Sequence, residues 1–335
     1  MLNKESKAQG IIIADDKKQQ EVFSTYDSIK IRQLAVEISK DYSEVILHLG
    51  RSFVFDSGNI FDSDSSKQNL LFFCEQLKKD NVKVFLWFFD SYGSASFNEL
   101  YDDHQDIINQ NLQVLDSLKI PYDGIAIDME WINVGGGSNN KKYIEILKYL
   151  RSKVIDKKIF SFASLVNNET TNSERGYDTK RVLKYADNII DMLYIQDADF
   201  FIFSDKNKPE LNVRRIEELR KYFKKQGWLV AVSLEPGMLM ENENGDGFQM
   251  IPDLHDGFKP LLNDAKFESK SRNSLAHIYE YKFKSKKSYL LKNNETISFH
   301  KKQRIFYFEL YPKKVASSKD FIWEYFMMKE RMAED

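Results

Sequence analysis

Apolar residues recur along this chain in two rhythms that take turns. Short runs at 10–14, 44–49, 83–89, 123–130, 159–165, 188–195, 228–234 and 305–310 have the alternating or wholly apolar character of β-strands. Between them the apolar positions fall at helical spacing. Ile108, Leu112, Leu115 and Leu118 form one stripe, and Tyr143, Ile146, Leu147 and Leu150 form another. The stretches 211–225 and 318–332 read as two further helices, and Asp62-Ser63-Asp64-Ser65 reads as the N-cap of a helix over 67–79. Eight strands with helices between them is the count of a (β/α)8 TIM barrel. An open doubly wound sheet would carry a glycine-rich turn after its first strand, and none follows here.

The expected seventh and eighth strands are separated by a long interval, 237–303, which holds hairpin-like runs at 277–283, 288–291 and 296–300 around Asn293-Asn294. It reads as a β-rich insertion in a single domain covering 10–335, because no linker-like composition flanks it. The polar stretch 1–9 reads as a disordered leader. It contains no export signal, so the chain as written is expected in the cytoplasm, or outside the cell if a signal sequence has been removed.

Composition narrows the chemistry. A formal charge of −2 over 335 residues offers no attraction for nucleic acid. The basic positions of 282–292 lie among aromatic and acidic residues and read as the solvated face of a hairpin. The longest apolar run, 84–89, is too short to span a membrane. Cys74 is the single cysteine and sits in an apolar helix pattern, which makes it a core thiol and excludes both disulfides and a Cys/His zinc site. The five histidines make no ligand spacing; His48, between Leu47 and Leu49, reads as a core or rim residue. No Gly-x-Ser-x-Gly elbow is present. Asn242, Asn244, Asp246, Gly247 and Asp253 follow a calcium-loop rhythm, but Asn stands at the first position and Asp at the last, and an ordinary polar loop is the better reading. Gly135-Gly136-Gly137-Ser138 lacks the lysine of a phosphate loop and reads as a pliable lip after the fourth strand. No cofactor is implied.

The most informative stretch is Tyr122-Asp-Gly-Ile-Ala-Ile-Asp-Met-Glu-Trp131. Ile125, Ile127 and Met129 occupy one face of a strand. Ala126, Asp128 and Glu130 occupy the other, which grows more acidic toward its carboxyl end. Two carboxylates two residues apart on one face of a buried strand are costly, and such charge is retained mainly where it performs chemistry. In a barrel the active site forms at the carboxyl ends of the strands. Those ends also supply Trp87, Trp131, Tyr194, Gln196, Asp197 and Glu235, a mixture of aromatics, amides and acids suited to sugar rings and their hydroxyls.

Asp123-Gly124-Ile125-Ala126-Ile127-Asp128-Met129-Glu130 resembles the Asp-Gly-x-Asp-x-Asp-x-Glu motif of family 18 glycoside hydrolases, which lies on the fourth barrel strand. Met192-Leu193-Tyr194 resembles the Met-x-Tyr of the sixth. The resemblance implies a hydrolase of β-linked N-acetylglucosamine glycans whose partner is an oligosaccharide or polysaccharide. Glu130 would protonate the glycosidic oxygen, Asp128 would orient the substrate's acetamido group, and Tyr194 would bond its carbonyl oxygen. That acetamido oxygen attacks the anomeric carbon in place of a protein nucleophile. Trp131, Trp87, Gln196, Asp197 and Glu235 are the expected subsite contacts.

The chain departs from the pattern in three places. Ala126 replaces the middle Asp, Ile195 follows Tyr194 where the family has Asp, and Phe306-Tyr307-Phe308 stands where an eighth-strand Trp is expected. Two alternatives follow. One is a carbohydrate-binding barrel that no longer cleaves. The other is a conventional retaining glycosidase that pairs Glu130 with Glu235.

Overall fold

The structure, a computed structural model, describes residues 8–13, 22–50, 63–91, 94–129, 139–163, 178–192, 201–203, 209–211, 228–233, 237–241, 248–251, 266–272, 276–283, 286–293 and 305–309. Its fifteen strands in chain order are β1 (Ala8–Ile13), β2 (Tyr42–His48), β3 (Lys83–Ser91), β4 (Gly124–Met129), β5 (Lys158–Ala163), β6 (Asn188–Met192), β7 (Phe201–Phe203), β8 (Pro209–Leu211), β9 (Trp228–Ser233), β10 (Gly237–Glu241), β11 (Phe248–Ile251), β12 (Lys266–Arg272), β13 (Ala276–Phe283), β14 (Lys286–Asn293) and β15 (Ile305–Glu309).

Eight of these, in the order β1-β15-β9-β6-β5-β4-β3-β2, close into a barrel whose adjacent strands are all parallel. The (β/α)8 architecture expected from the sequence is therefore present, with β9 and β15 as its seventh and eighth strands. Strand β1 already contains Ala8, paired with Tyr42, so it begins inside the stretch read as a leader. Short β7 and β8 pair with each other between the sixth and seventh barrel strands. Leu211 belongs to β8, not to a helix starting there; the rest of that expected helix, and the one over 318–332, lie outside the described residues.

Between β9 and β15 the chain forms a five-stranded antiparallel sheet in the order β11-β10-β14-β13-β12. Strands β13 and β14 pair antiparallel from Ala276 opposite Asn293 to Phe283 opposite Lys286. Asn293, expected beside a turn, is thus a strand residue, while Asn294 and the expected run 296–300 lie outside the described residues. Residues 242–247 connect β10 to β11, paired through Glu241 and Phe248. Asn242, Asn244, Asp246, Gly247 and Asp253, the positions of the calcium-like spacing, themselves lie outside the described residues.

The helices that matter for the site are α1 (Ser28–Asp41), α2 (Asp64–Lys79), α3 (Ser94–Asp102), α4 (His104–Ser117), α5 (Asn139–Lys153) and α6 (Thr179–Val182). Ser63 caps α2, its hydroxyl accepting from the Ser66 N–H at 3.1 Å. Tyr143, Ile146, Leu147 and Leu150 of α5 are completely buried, as are Leu115 of α4 and Leu70, Cys74 and Leu77 of α2. They form a shell with the outward-facing Val45, Leu47, Val84, Leu86, Ile125, Ile127 and Ile159 of the strands. A second, smaller core fills the barrel: Ile12, Ile46, Phe85, Trp87, Ala126, Phe160, Phe162, Ile190 and Leu229. Each of these side chains is worth about 1.5–3 kcal/mol of burial when large and apolar, so the cylinder is packed from both sides. No helix among the described residues is long and apolar enough to cross a membrane.

Candidate active site

Strand β4 sits between β3 and β5, and all six of its residues are buried. The expected alternation holds. Ile125, Ile127 and Met129 face the helices, while Ala126 belongs to the barrel interior. Asp128 follows two residues later on that same interior face and is 1% exposed. A carboxylate in such a place has lost nearly all of its water, and its retention demands a purpose.

The first two residues of the motif have a structural job. Asp123 lies at the amino-terminal end of the barrel, where its carboxylate accepts from the Val84 N–H at 2.8 Å and from Lys78 Nζ at 2.7 Å. Its backbone joins both neighbouring strands, with the Asp123 N–H donating to Val84 O and the Lys158 N–H donating to Asp123 O. Gly124 is required by close approach: a Cβ there would lie 2.3 Å from the Lys158 carbonyl oxygen and 2.9 Å from a ring carbon of Phe85. Asp123 and Gly124 thus hold β4 in position, at the opposite end of the strand from Asp128.

Around Asp128 the interior is aromatic. Trp87 of β3 pairs in register with His48 of β2 on one side and with Ala126 of β4 on the other. Its ring stacks on His48, with centroids 4.0 Å apart and an angle of 28°. Because Ala126 is short, the indole also reaches over β4 to Phe162 of β5, at 4.8 Å. Trp87 is 2% exposed, and its indole N–H has no hydrogen-bond partner. Above Trp87 the register of β3 against β4 shifts, so that Asp90 pairs with Asp128 at the backbone. This is a bulge, and it interrupts the ladder beside the acid. Behind β4 and β5, the Tyr143 hydroxyl of α5 shares a hydrogen bond with Ser161 Oγ at 2.5 Å. Burial pushes the Tyr143 phenol well above its usual range; the Ser161 bond opposes this and the nearby Asp128 charge adds to it.

Of the candidate residues, Asp128 and Trp87 fall within the described structure, and both lie on the interior face near the carboxyl ends. Glu130, which follows β4 directly, together with Trp131, Tyr194, Gln196, Asp197 and Glu235, lies outside the described residues. His48, read as a core or rim residue, proves to be the stacking partner of Trp87, and its sequence offered no spacing to signal this. Burial pushes the Cys74 thiol up to about 12, with Glu75 adding to the effect, as befits a core thiol and not a nucleophile. A separate cleft of about 370 Å³, lined by Tyr101, His104, Glu145 and Tyr149, lies among the helices and shares no residue with the barrel interior. Among the described residues no cluster of three or more His, Cys, Asp or Glu could hold a metal ion.

No protein-family model matches the chain, and no curated protein matches it by sequence. Solved structures do match. The spore cortex-lytic enzyme SleL of Bacillus megaterium aligns over 98% of this chain and 75% of its own, at 11% identity and a TM-score of 0.56. A chitinase from Chromobacterium violaceum aligns over 96% and 98%, at 10% identity and a TM-score of 0.58. A family 18 chitinase variant from Cycas revoluta, solved with (GlcNAc)4, aligns over 90% and 94%, at 12% identity and a TM-score of 0.57. The fold is that of the family 18 chitinase-like barrels, in a sequence that has diverged far from them.

Proposed function

We propose that this protein is a glycoside hydrolase that cleaves β-linked N-acetylglucosamine glycans by substrate-assisted retention. The observation that carries the reading is Asp128. It is a desolvated carboxylate on the interior face of the fourth strand of a chitinase-like barrel, two residues before Glu130. In this reading Glu130 is the acid that protonates the leaving oxygen and then the base that activates water. Asp128 orients the acetamido N–H, and Tyr194 bonds the acetamido carbonyl oxygen. That oxygen attacks the anomeric carbon, so no protein nucleophile is needed. The fold neighbours support the sugar chemistry, since one was solved with (GlcNAc)4 and another is described as cortex-lytic. Trp131, Gln196, Asp197 and Glu235 are assigned to the subsites, and the substrate is an oligosaccharide or polysaccharide.

The test is hydrolysis of aryl β-N-acetylglucosaminides and short chito-oligomers by wild type beside Glu130→Gln. Loss of a general acid costs on the order of 10²–10⁴-fold in rate, so the variant should be nearly silent while it still binds sugar. Undiminished turnover in Glu130→Gln would refute the assignment of the acid.

Ala126 favours a second reading. With the family's middle carboxylate gone, a barrel that binds glycan without cleaving it would show affinity and no product from either protein. Pairing of Glu130 with Glu235 in a conventional double displacement requires their carboxyls about 5–5.5 Å apart. It predicts that Glu235→Gln is as damaging as Glu130→Gln.

A further inference from the structure

The sequence alone reads the basic positions of 282–292 as one hairpin face, but the register of the five-stranded sheet divides them between two. Residues paired across antiparallel strands stand on the same face of a sheet, and the face changes with every step along a strand. Lys282 is opposite both Lys287 and Lys266 on one face, which also takes Glu280 and Glu241. The other face starts at the edge strand β12. Arg272 is opposite His277, which is opposite Lys292, so three basic residues form one row across three strands about 4.8 Å apart. In the next row Lys270 is opposite Tyr279. Tyr281 follows, opposite Phe267 and Ser288, and Phe283 ends the series opposite Lys286. No Asp or Glu stands at any paired position of this face; Glu268, the extra residue of the bulge in β12, has no register partner. Cations on an edge strand discourage pairing with another chain, but that purpose requires neither a choice of face nor the cations of β14. The opposite charge that Lys270, Arg272, Lys286 and Lys292 call for comes from outside the sheet.

We propose that this face of the sheet binds a glycan that carries carboxylates, with Lys270, Arg272 and Lys292 taking the negative groups and Tyr279, Tyr281 and Phe283 taking the sugar rings. The aromatic half of the site comes from the alternation of β13. Its aromatic residues stand at every second position, so they recur roughly 7 Å apart along one face. Flat rings cover the apolar faces of sugars, and an arginine matches a carboxylate with two parallel hydrogen bonds. The inference rests on the glycosidase reading for its choice of a sugar over other polyanions. It also extends that reading. The acetamido chemistry assigned to the barrel asks for no charge on the substrate, whereas this face selects chains that bear carboxylates as well. An N-acetylated amino-sugar polymer with carboxylated substituents satisfies both. None of the residues involved belongs to the site assigned to the barrel.

The probes are carboxymethyl-chitin and the uncharged glycol chitin, titrated by calorimetry into the full chain carrying Glu130→Gln, so that cleavage does not consume them. The charged polymer should bind more tightly, and its advantage should shrink at high salt, which screens exposed charges. Adding Lys270→Gln, Arg272→Gln and Lys292→Gln together should weaken carboxymethyl-chitin on the order of tenfold, as expected of three solvent-exposed ion pairs, and leave glycol chitin unchanged. Lys282→Gln with Lys287→Gln removes charges of the same hairpin from the opposite face and should change neither affinity. Equal losses from the two sets would reduce the effect to net charge and overturn the proposal, as would equal affinity for the two polymers. A lower melting temperature of the triple variant with carboxymethyl-chitin binding intact would assign the cations to carboxylates elsewhere in the chain and overturn it too. Tighter binding of duplex DNA than of carboxymethyl-chitin would overturn the choice of a glycan. In a chain with Glu130 intact, the three substitutions should leave kcat and KM on neutral chito-oligomers unchanged. Selective binding in a protein that hydrolyses no sugar would uphold the sheet face and bring down the hydrolase reading alone; hydrolysis of chito-oligomers without selective binding would do the reverse.

Discussion

At the amino-terminal end of the barrel, polar groups are paired with partners that stitch strand to strand. Asp123 takes the Val84 N–H and Lys78. Asp187, just before β6, repeats the device: it accepts from the Ile159 N–H at 2.7 Å and from Arg151, while its own N–H donates to Ile159 O. Lys83 lies 3.7 Å from the buried Glu44. The carboxyl-terminal end is built differently. Asp128 is as buried as the aliphatic core, the Trp87 N–H lacks an acceptor, and the β3–β4 ladder is interrupted. Two carboxylates five residues apart, one just before β4 and one near its end, therefore stand in different surroundings. Asp123 fastens strand to strand; Asp128, in the function proposed above, serves the substrate.

The sharpest way to break this contrast is Gly124→Ala, at the fastened end. The new methyl would lie 2.3 Å from the Lys158 carbonyl, a backbone atom that cannot swing aside, so β4 and β5 must part. A loss of about 3 kcal/mol or more is expected, the upper range for overpacking, measured as the shift in a urea unfolding midpoint. Next comes the crossed pair. Asp123→Ala strands the Val84 N–H and should cost about 1–3 kcal/mol of stability, with kcat of the folded fraction unchanged. Asp128→Asn keeps the side chain's shape and should cost less stability than Asp123→Ala. It should nonetheless cut turnover on chito-oligomers on the order of 100-fold. Equal stability losses from the two would erase the distinction between the ends.

Much of the fastened frame could be read from the sequence. The strand rhythm, the two helical stripes and the Ser63 cap all rest on local periodicity, which survives folding unchanged. The acid at position 128 was legible for the same reason, since its parity against Ile125, Ile127 and Met129 is fixed by the pleat. The environment of that acid was not. The run Val84 to Phe89 is apolar at every position, so it carries no alternation to reveal where β3 bulges or that Asp90 comes level with Asp128. Nor could composition foretell that a short Ala126 lets Trp87 reach across β4 to Phe162. That Lys286, Lys287, Lys292 and Asn293 extend the strand at 288–291 was not legible either, since lysine and asparagine carry little strand preference of their own.

A smaller, pH-dependent effect belongs to the packed shell between the two ends. Burial raises the thiol of Cys74 and the phenol of Tyr122 to about 12 each, and raises the Tyr143 phenol further. Each group in the folded chain holds its proton to higher pH than in the unfolded chain, so unfolding releases protons in alkali. Stability should be level up to about pH 8, where the unfolded thiol begins to ionise, and should fall steadily from there toward pH 12. Thermal melts at half-unit steps would record the decline. The same burial predicts that a thiol reagent leaves Cys74 untouched at pH 8 until the protein unfolds.

The smallest effect tests the fastened end in the opposite direction, by improving it. Helices α2 and α4 both end in the same hydrogen-bonded turn. After α2, the Asn81 N–H donates to Lys78 O and the Val82 N–H to Leu77 O; after α4, the Lys119 N–H donates to Asp116 O and the Ile120 N–H to Leu115 O. Each turn needs one residue in the left-handed region: Asn81 at φ 60° and Lys119 at φ 53°. Asparagine tolerates that conformation, whereas lysine sets its Cβ against the following carbonyl. Lys119 is exposed, so Lys119→Gly should raise stability by roughly 0.5–1 kcal/mol after the extra freedom of the unfolded glycine is counted. Asn81→Gly should gain less. Neither change should touch turnover, because both turns lie at the end of the barrel remote from Asp128. A change in kcat from Lys119→Gly would mean that the two ends are coupled through β4 and that the division of labour between Asp123 and Asp128 is not clean.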